Sequence, residues 1–124
     1  MVVLDTCAMI EACQKYPGFS TNALKQMEAG AYLLSISFAE IACKIKFSKL
    51  EMSVSLKDLY NECCQIETLK IVDIGVREWV DSIELPLDFK DPADRIIVAF
   101  ASQKHLPIVT SDRRIKQFYK KVIW

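Results

Sequence analysis

Four acidic residues stand beside the apolar segments of this chain. Asp5 directly follows the first apolar run, and Asp112 closely follows the fourth. Glu40 and Asp94 lie in the first turns of two predicted helices. In an open parallel sheet, ligands bind beyond the carboxyl ends of the strands. We therefore expect these four carboxylates to meet at one edge of a sheet.

A cluster of four carboxylates favours metal-assisted hydrolysis of phosphodiesters. Like charges at one edge repel one another and destabilise the fold unless a cation lies between them. A site made only of oxygen ligands selects Mg²⁺ or Mn²⁺. Either ion can activate a water and neutralise charge on a phosphate, and phosphodiester hydrolysis requires both. Basic side chains beside this edge would hold the flanking phosphates, and the candidates are Lys44, Lys46, Arg95 and Arg113.

Each acid also has an ordinary structural explanation. Glu40 can be the return half of a capping box that begins at Ser37. Asp91 and Asp94 can be first-turn acids that compensate a helix dipole. The two acids that follow strands can simply begin turns. What these explanations leave open is why four like charges should gather at one edge.

Short apolar segments that alternate with helical patterns supply the frame for these acids. The predicted strands cover residues 2–4, 32–36, 69–74 and 107–110, with a fifth at 122–124. Parallel strands joined by right-handed helical crossovers are covered by helices on both faces. The predicted fold class is α/β, a three-layer α/β/α sandwich with a mostly parallel sheet of four or five strands.

The helix starts are marked by polar residues. Ser20 and Ser55 are predicted N-caps, and Ser37-Phe38-Ala39-Glu40 has the form of a capping box. Asp91-Pro92-Ala93-Asp94 is the clearest start, with an acid at the N-cap and proline in the first turn. The apolar run at 96–101 predicts that this helix is buried on most sides.

The composition is that of a globular protein. The 124 residues are 52% hydrophobic and carry 16 basic and 16 acidic side chains, which excludes a disordered chain. We expect one domain over residues 1–124. Apolar runs are too short to cross a membrane, and Asp5 interrupts a signal-peptide core, so we expect a cytoplasmic protein without membrane contact. Five cysteines without a C-x-x-C pair are expected to be reduced and mostly buried.

Four segments of the chain together resemble one family of nucleases. They are Leu4-Asp5-Thr6, the segment 37–44 (SFAEIACK), the segment 91–99 (DPADRIIVA) and Val109-Thr110-Ser111-Asp112. In this order they resemble the motifs of PIN domains, most closely those of VapC-type toxin ribonucleases. The resemblance spans essentially the whole chain, and its motifs are specific in combination.

The resemblance implies an activity and partners. It implies an endoribonuclease that depends on Mg²⁺ or Mn²⁺ and cuts structured cellular RNA. It also implies a homodimer and a small VapB-type antitoxin whose tail covers the acidic site. The apolar faces around Ile41, Ile45, Phe47 and Trp79 are either core or part of the dimer surface.

The resemblance also assigns roles to the acids. Asp5 and Asp94 resemble the metal ligands of the family, Glu40 a ligand or a base acting through water, and Asp112 a second-site or outer-shell acid. Thr6 and Ser111 would be supporting hydroxyls. Asp91 is better explained as a helix cap than as a ligand.

Two other function classes remain open. A PIN fold can serve only as an RNA-binding or interaction module, since fold does not determine function. A receiver domain is also parallel α/β, with Asp73 as its phospho-acceptor, although the acidic doublet of that class is missing. The single histidine, His105, ends a predicted helix, which argues against Ser-His, Cys-His and two-histidine catalysis.

Overall fold

A parallel sheet of five strands forms the centre of the protein. The computed structural model describes residues 1–15, 17–86 and 88–124. Every strand pair is parallel, and the strand order is β3-β2-β1-β4-β5. The strands are β1 Val2–Leu4, β2 Ala31–Leu34, β3 Leu69–Val72, β4 Ile108–Val109 and β5 Val122–Ile123. The predicted α/β class is confirmed, and the sheet has the larger of the two expected strand numbers.

Helices cover both faces of this sheet. They are α1 Thr6–Ala12, α2 Thr21–Glu28, α3 Ile36–Lys46, α4 Leu56–Gln65, α5 Val76–Ile83, α6 Pro92–Lys104 and α7 Arg113–Phe118. Side chains alternate across a strand, so Val2 and Leu4 enter one core while Val3 enters the other. The first core includes Ile41 of α3, and the second includes Ile97 of α6. The two cores make the three-layer sandwich.

Helix α6 begins as its sequence predicts. The Asp91 side chain accepts a hydrogen bond from the backbone N–H of Asp94 at 3.0 Å, and Pro92 occupies the first turn. Residues 96–101 are all buried. The cap matters for function because it brings Asp94 to the carboxyl edge of the sheet.

Other helix ends also follow the sequence. The hydroxyls of Ser20 and Ser55 accept hydrogen bonds from the backbone N–H groups of Ala23 and Asp58, both at 3.1 Å. His105 ends α6 in the left-handed conformation, with φ 55°. These three residues have the capping positions that the sequence predicts.

The capping box predicted at Ser37 is wrong. Strand β2 ends at Leu34, and α3 begins earlier than expected, at Ile36. Ser37 is fully buried inside the helix, where its hydroxyl is hydrogen-bonded to that of Thr6 at 3.0 Å. Glu40 therefore lies one turn into α3 and not in its first turn. The tertiary contact with α1 replaces the local one that the motif suggests.

The cysteines are more exposed than expected. All five thiols are free, but only Cys63 is buried, while the other four lie at the surface. The expectation of mostly buried thiols is therefore wrong. Its reason is that the sequence does not distinguish a cysteine inside the core from one at the edge of it.

Several large apolar side chains are also at the surface. Ile41 is fully buried and belongs to the core, whereas Phe47 is 68% exposed and Trp79 is 50% exposed. On α5, four such side chains form a stripe at helical spacing, which we call the α5 stripe: Val76, Trp79, Val80 and Ile83. None of the described helices is long and apolar enough to cross a membrane.

Candidate active site

Asp5 lies at the carboxyl end of the central strand β1 and is 1% exposed. Its Oδ1 accepts a hydrogen bond from the backbone N–H of Ala8 at 2.7 Å, and its Oδ2 accepts one from the hydroxyl of Thr110. Burial raises the pKa of Asp5 to about 6, although these two hydrogen bonds act in the opposite direction. A cation close to Asp5 would lower this pKa, because it stabilises the ionised form of a buried carboxylate.

Asp94 lies in the first turn of α6 and is 8% exposed. Its pKa is raised to about 7. Burial is the largest cause, and the charges of the neighbouring acids also contribute: those of Asp91, Glu40, Asp112 and Asp5. The four acids expected to meet at one edge of the sheet therefore lie within electrostatic range of one another. Their mutual repulsion is a property of the fold, because each acid is placed by a different element.

Glu40 is held by the helix that follows β1. The Thr6 hydroxyl donates a hydrogen bond to Oε1 of Glu40. Burial raises the pKa of Glu40, whereas the Thr6 hydrogen bond and the charges of Lys44 and Arg114 lower it. Thr6 therefore orients the carboxylate, in keeping with the supporting role expected for its hydroxyl.

Asp112 has a different environment, because it forms an ion pair with Arg114. The Asp112 side chain caps α7, and its Oδ1 accepts the backbone N–H of Arg114 at 2.7 Å. The Arg114 guanidinium donates from Nη2 to Oδ2 at 3.0 Å and from Nε to Oδ1 at 3.4 Å. Burial would raise the pKa of Asp112, but the bonds from Arg114 outweigh burial and lower it. Asp112 is thus the one acid of the four that carries its own cation.

Thr110 connects two of the acids and is absent from the residues expected from the sequence. Its hydroxyl donates to Asp5 and accepts the backbone N–H of Asp112 at 2.9 Å. Ser111, the hydroxyl expected in this role, is exposed. Both residues lie between β4, which ends at Val109, and α7, and Thr110 is the one that is buried. The hydroxyl-acid turn after β4 is the signal that could have identified Thr110.

The four basic residues expected at this edge have different environments. Lys44 is half-buried and contributes to lowering the pKa of Glu40, and Lys46 and Arg113 are exposed. Arg95 instead donates from its guanidinium to backbone carbonyls of the segment before α6: those of Ile83, Leu85, Pro86 and Phe89. Arg95 therefore fixes a loop, and its donors are not directed to a substrate.

The donor set suits a hard divalent cation. The groups that converge are carboxylate oxygens, two of them buried with pKa values of about 6 and 7. Among the described residues, no three His, Cys, Asp or Glu side chains form a preassembled metal cage. Mg²⁺ does not require such a cage, because it keeps several waters and binds one or two carboxylates directly. Asp5 and Asp94 fit that pattern.

Comparison of the fold identifies similar solved structures. A toxin–antitoxin complex from Klebsiella pneumoniae has a TM-score of 0.70 at 17% identity, over 100% of this chain and 97% of that one. VapBC2 from Rickettsia felis, bound to a DNA fragment from its promoter, has a TM-score of 0.68 at 19% identity, over 100% and 98%. FitAcB from Neisseria gonorrhoeae has a TM-score of 0.66 at 18% identity, over 100% of this chain and 97% of that one. At such low identities, the TM-scores show a similar fold.

Sequence comparison identifies the family directly. No curated protein matches the chain. The PIN domain family matches it over residues 2–121, almost its whole length. PIN domains are generally nucleases, and they typically use divalent metal ions. The chain belongs to the PIN domain family.

Proposed function

We propose that this protein is an endoribonuclease that depends on Mg²⁺ or Mn²⁺ and acts in the cytoplasm as the toxin of a VapBC-type pair. The observation that carries the proposal is the burial of Asp5 and Asp94 within range of Glu40, with pKa values raised to about 6 and 7. A fold that buries like charges without a counter-charge is destabilised, and a divalent cation removes that cost.

The side chains divide the work of hydrolysis. Asp5 and Asp94 would hold the metal, with Glu40 beside it and Asp112 as an outer-shell acid. When bound, Mg²⁺ lowers the pKa of a water and neutralises charge that develops on the phosphate. Glu40 would accept a proton from the attacking water, and the hydrogen bond from Thr6 fixes the orientation of its carboxylate. Thr110 keeps Asp5 in a single orientation.

RNA is bound through its phosphates by basic side chains around the acidic edge. Lys44 is within electrostatic range of Glu40. Arg113 is exposed at the start of α7, next to Asp112, whereas Lys46 is exposed at the last residue of α3. Arg95 is left out of this set because its guanidinium donates to backbone carbonyls.

An apolar cavity supports the proposed antitoxin partner. It has a volume of about 780 Å³ and lies between α1, α2 and α4, and its apolar lining includes Met9, Leu24, Met27, Leu33, Leu59 and Ile66. A groove of this kind accepts the apolar face of a helix. One of the similar solved structures is described as a toxin–antitoxin complex and another as VapBC2, which agrees with a VapB-type partner.

The α5 stripe supports the proposed homodimer. Its residues are between 50% and 79% exposed and follow helical spacing on one face of the helix. A contiguous apolar face of this kind is unusual on a monomer and is typical of an interface. A second copy of the chain would cover the stripe symmetrically.

The decisive experiment is cleavage of total cellular RNA by the purified protein in Mg²⁺ or Mn²⁺, with sequencing of the new ends. EDTA and the Asp94→Asn variant are the paired controls. We expect cleavage that requires both the metal and Asp94. Cleavage that persists in EDTA or in Asp94→Asn would refute the proposal.

The same experiment tests the alternative of a binding module without catalysis. That alternative predicts RNA binding with no cleavage and no Mn²⁺ binding. The receiver-domain alternative is wrong, because the chain belongs to the PIN domain family. Asp73, its expected acceptor, follows the edge strand β3, whereas Asp5 follows the central strand β1.

A further inference from the structure

Arg114 lies beside Asp94 and Asp112, and its side chain is 68% exposed. With Asp91 and Asp94 it lines a cavity of about 320 Å³ whose other walls include Phe89 and Phe118. The cavity connects Arg114 of α7 with the first turn of α6. Arg114 is therefore next to the acidic cluster and open to solvent.

The contacts of Asp112 leave it poorly suited to direct metal binding. Both of its oxygens accept hydrogen bonds from Arg114: Oδ1 from the backbone N–H and Nε, and Oδ2 from Nη2. The carboxylate is only 16% exposed. A metal ion that bound this carboxylate directly would have to displace a hydrogen-bonded cation. Asp112 therefore serves better as a support for Arg114.

The guanidinium retains donors that this pair does not use. An arginine has five N–H donors in a planar fork, and the contacts with Asp112 involve Nε and Nη2. The Nη1 hydrogens and the second Nη2 hydrogen remain at the other edge of the guanidinium, where they can bind a phosphate group. Holding the guanidinium in one orientation lowers the entropy lost when a phosphate binds.

The charge of Arg114 reaches the other acids of the site. It contributes to lowering the pKa of Glu40. In return, after the larger effect of Asp112, the carboxylates of Asp94 and Asp91 raise the pKa of Arg114. Arg95, by contrast, is held by backbone carbonyls and cannot take this place. Arg114 is thus a cation that shares the field of the acidic cluster and is also open to solvent.

We propose that Arg114 binds an RNA phosphate beside the acidic cluster, and that Asp112 is the positioning residue that orients its guanidinium. This inference rests on the proposed ribonuclease function and assigns one of its substrate contacts. Asp112 acts through Arg114 and stays outside the coordination sphere of the metal.

The test measures RNA binding and metal binding separately. A fluorescein-labelled single-stranded RNA of mixed sequence is titrated in EDTA at several salt concentrations, and Mn²⁺ binding is measured calorimetrically without RNA. The variants are Arg114→Gln, Arg114→Lys and Asp112→Asn. Lys116→Gln is the matched control, because it removes one positive charge from an exposed position of the same helix.

For Arg114→Gln we expect about tenfold weaker RNA binding, with a salt slope smaller by about one. Arg114→Lys should recover only part of the affinity, since it keeps the charge without the fork. Asp112→Asn should weaken RNA binding in the same direction and leave Mn²⁺ affinity within about threefold of the parent. Lys116→Gln should keep the parental affinity to within about twofold.

Two results would overturn the assignment. One is parental RNA affinity and salt slope in Arg114→Gln, and the other is a loss of Mn²⁺ affinity of about tenfold or more in Asp112→Asn. Either result leaves the ribonuclease proposal intact if the parent still cleaves RNA. A parent that binds the RNA but never cleaves it refutes the ribonuclease proposal alone. A parent that binds no RNA refutes both.

Discussion

The hydroxyl of Thr110 donates a hydrogen bond to the carboxylate of Asp5, although the two residues are 105 positions apart in the chain. The contact crosses from β4 to β1, which are adjacent in the sheet. The backbone N–H of Asp112 also donates to this hydroxyl, so Thr110 contacts both the Asp5 carboxylate and the backbone at the start of α7. The orientation of the buried acid therefore depends on a neutral side chain.

Replacing Thr110 by valine should reduce cleavage of RNA. Valine keeps the shape but removes the hydrogen bond that orients Asp5, and second-shell losses of this kind cost about 10- to 100-fold in activity or metal affinity. Cleavage rate and Mn²⁺ affinity are the two measurements. Thr110→Ser, which keeps the hydroxyl, is the control and should stay close to the parent. Equal activity of the valine variant and the parent would contradict the role of this bond.

The pKa values of Asp94 and Asp5 predict how stability depends on pH without metal. In the folded protein these values are raised to about 7 and 6, above the ordinary value of 3.8. The folded state therefore binds more protons than the unfolded state. The protonated forms of Asp5 and Asp94 therefore stabilise the folded state. This stabilisation is fully present below about pH 4 and is lost as the pH rises through 6 and 7.

The Asp94→Asn variant tests this dependence. In EDTA, its free energy of unfolding should match the parent near pH 4 and exceed it by up to about 4 kcal/mol at pH 8. Urea unfolding at several pH values measures the difference. Asp58→Asn, which changes an exposed acid in the first turn of α4, is the control and should not be more stable than the parent at pH 8. A variant that is less stable than the parent at pH 8 would contradict the repulsion.

Replacing Arg95 by glutamine should destabilise the fold and leave phosphate binding unchanged. The guanidinium donates to four backbone carbonyls, from that of Ile83 at the end of α5 to that of Phe89 before α6, and the loss of this network should cost about 2 kcal/mol. Arg95→Lys should not recover the stability, since an ammonium cannot reproduce the fork. Thermal unfolding measures the cost. If the folded Arg95→Gln variant showed a lower salt slope of RNA binding than the parent, Arg95 would contact an RNA phosphate and the prediction would be wrong.

A charge on the α5 stripe should separate the proposed dimer. Val80 is 55% exposed at the middle of the stripe, so Val80→Glu leaves the core intact and places a carboxylate in the interface. Sedimentation velocity at micromolar concentration should show a dimer for the parent and a monomer for the variant. Asn61→Glu, on the exposed surface of α4, should remain dimeric. A parent that sediments as a monomer would refute the dimer.

Much of this protein is determined by local sequence. The N-caps at Ser20, Ser55 and Asp91 depend on contacts three residues away, and the structure has all three. Short apolar runs joined by helical patterns also predict a parallel sheet, because such strands require long crossovers and cover on both faces. The acids follow, since the carboxyl ends of parallel strands share one edge.

Tertiary structure decided the features that depend on distant partners. Local patterns carry no information on which strands are adjacent, so they left open that β4 lies beside β1 and that Thr110, not Ser111, reaches Asp5. Ser37 has a local capping motif, but burial against Thr6 overrides it. Arg95 has the charge expected of a phosphate ligand, but its guanidinium donates hydrogen bonds to nearby backbone carbonyls instead. A side chain's role is set by which partners the fold brings within hydrogen-bonding distance, and residue type alone does not specify those partners.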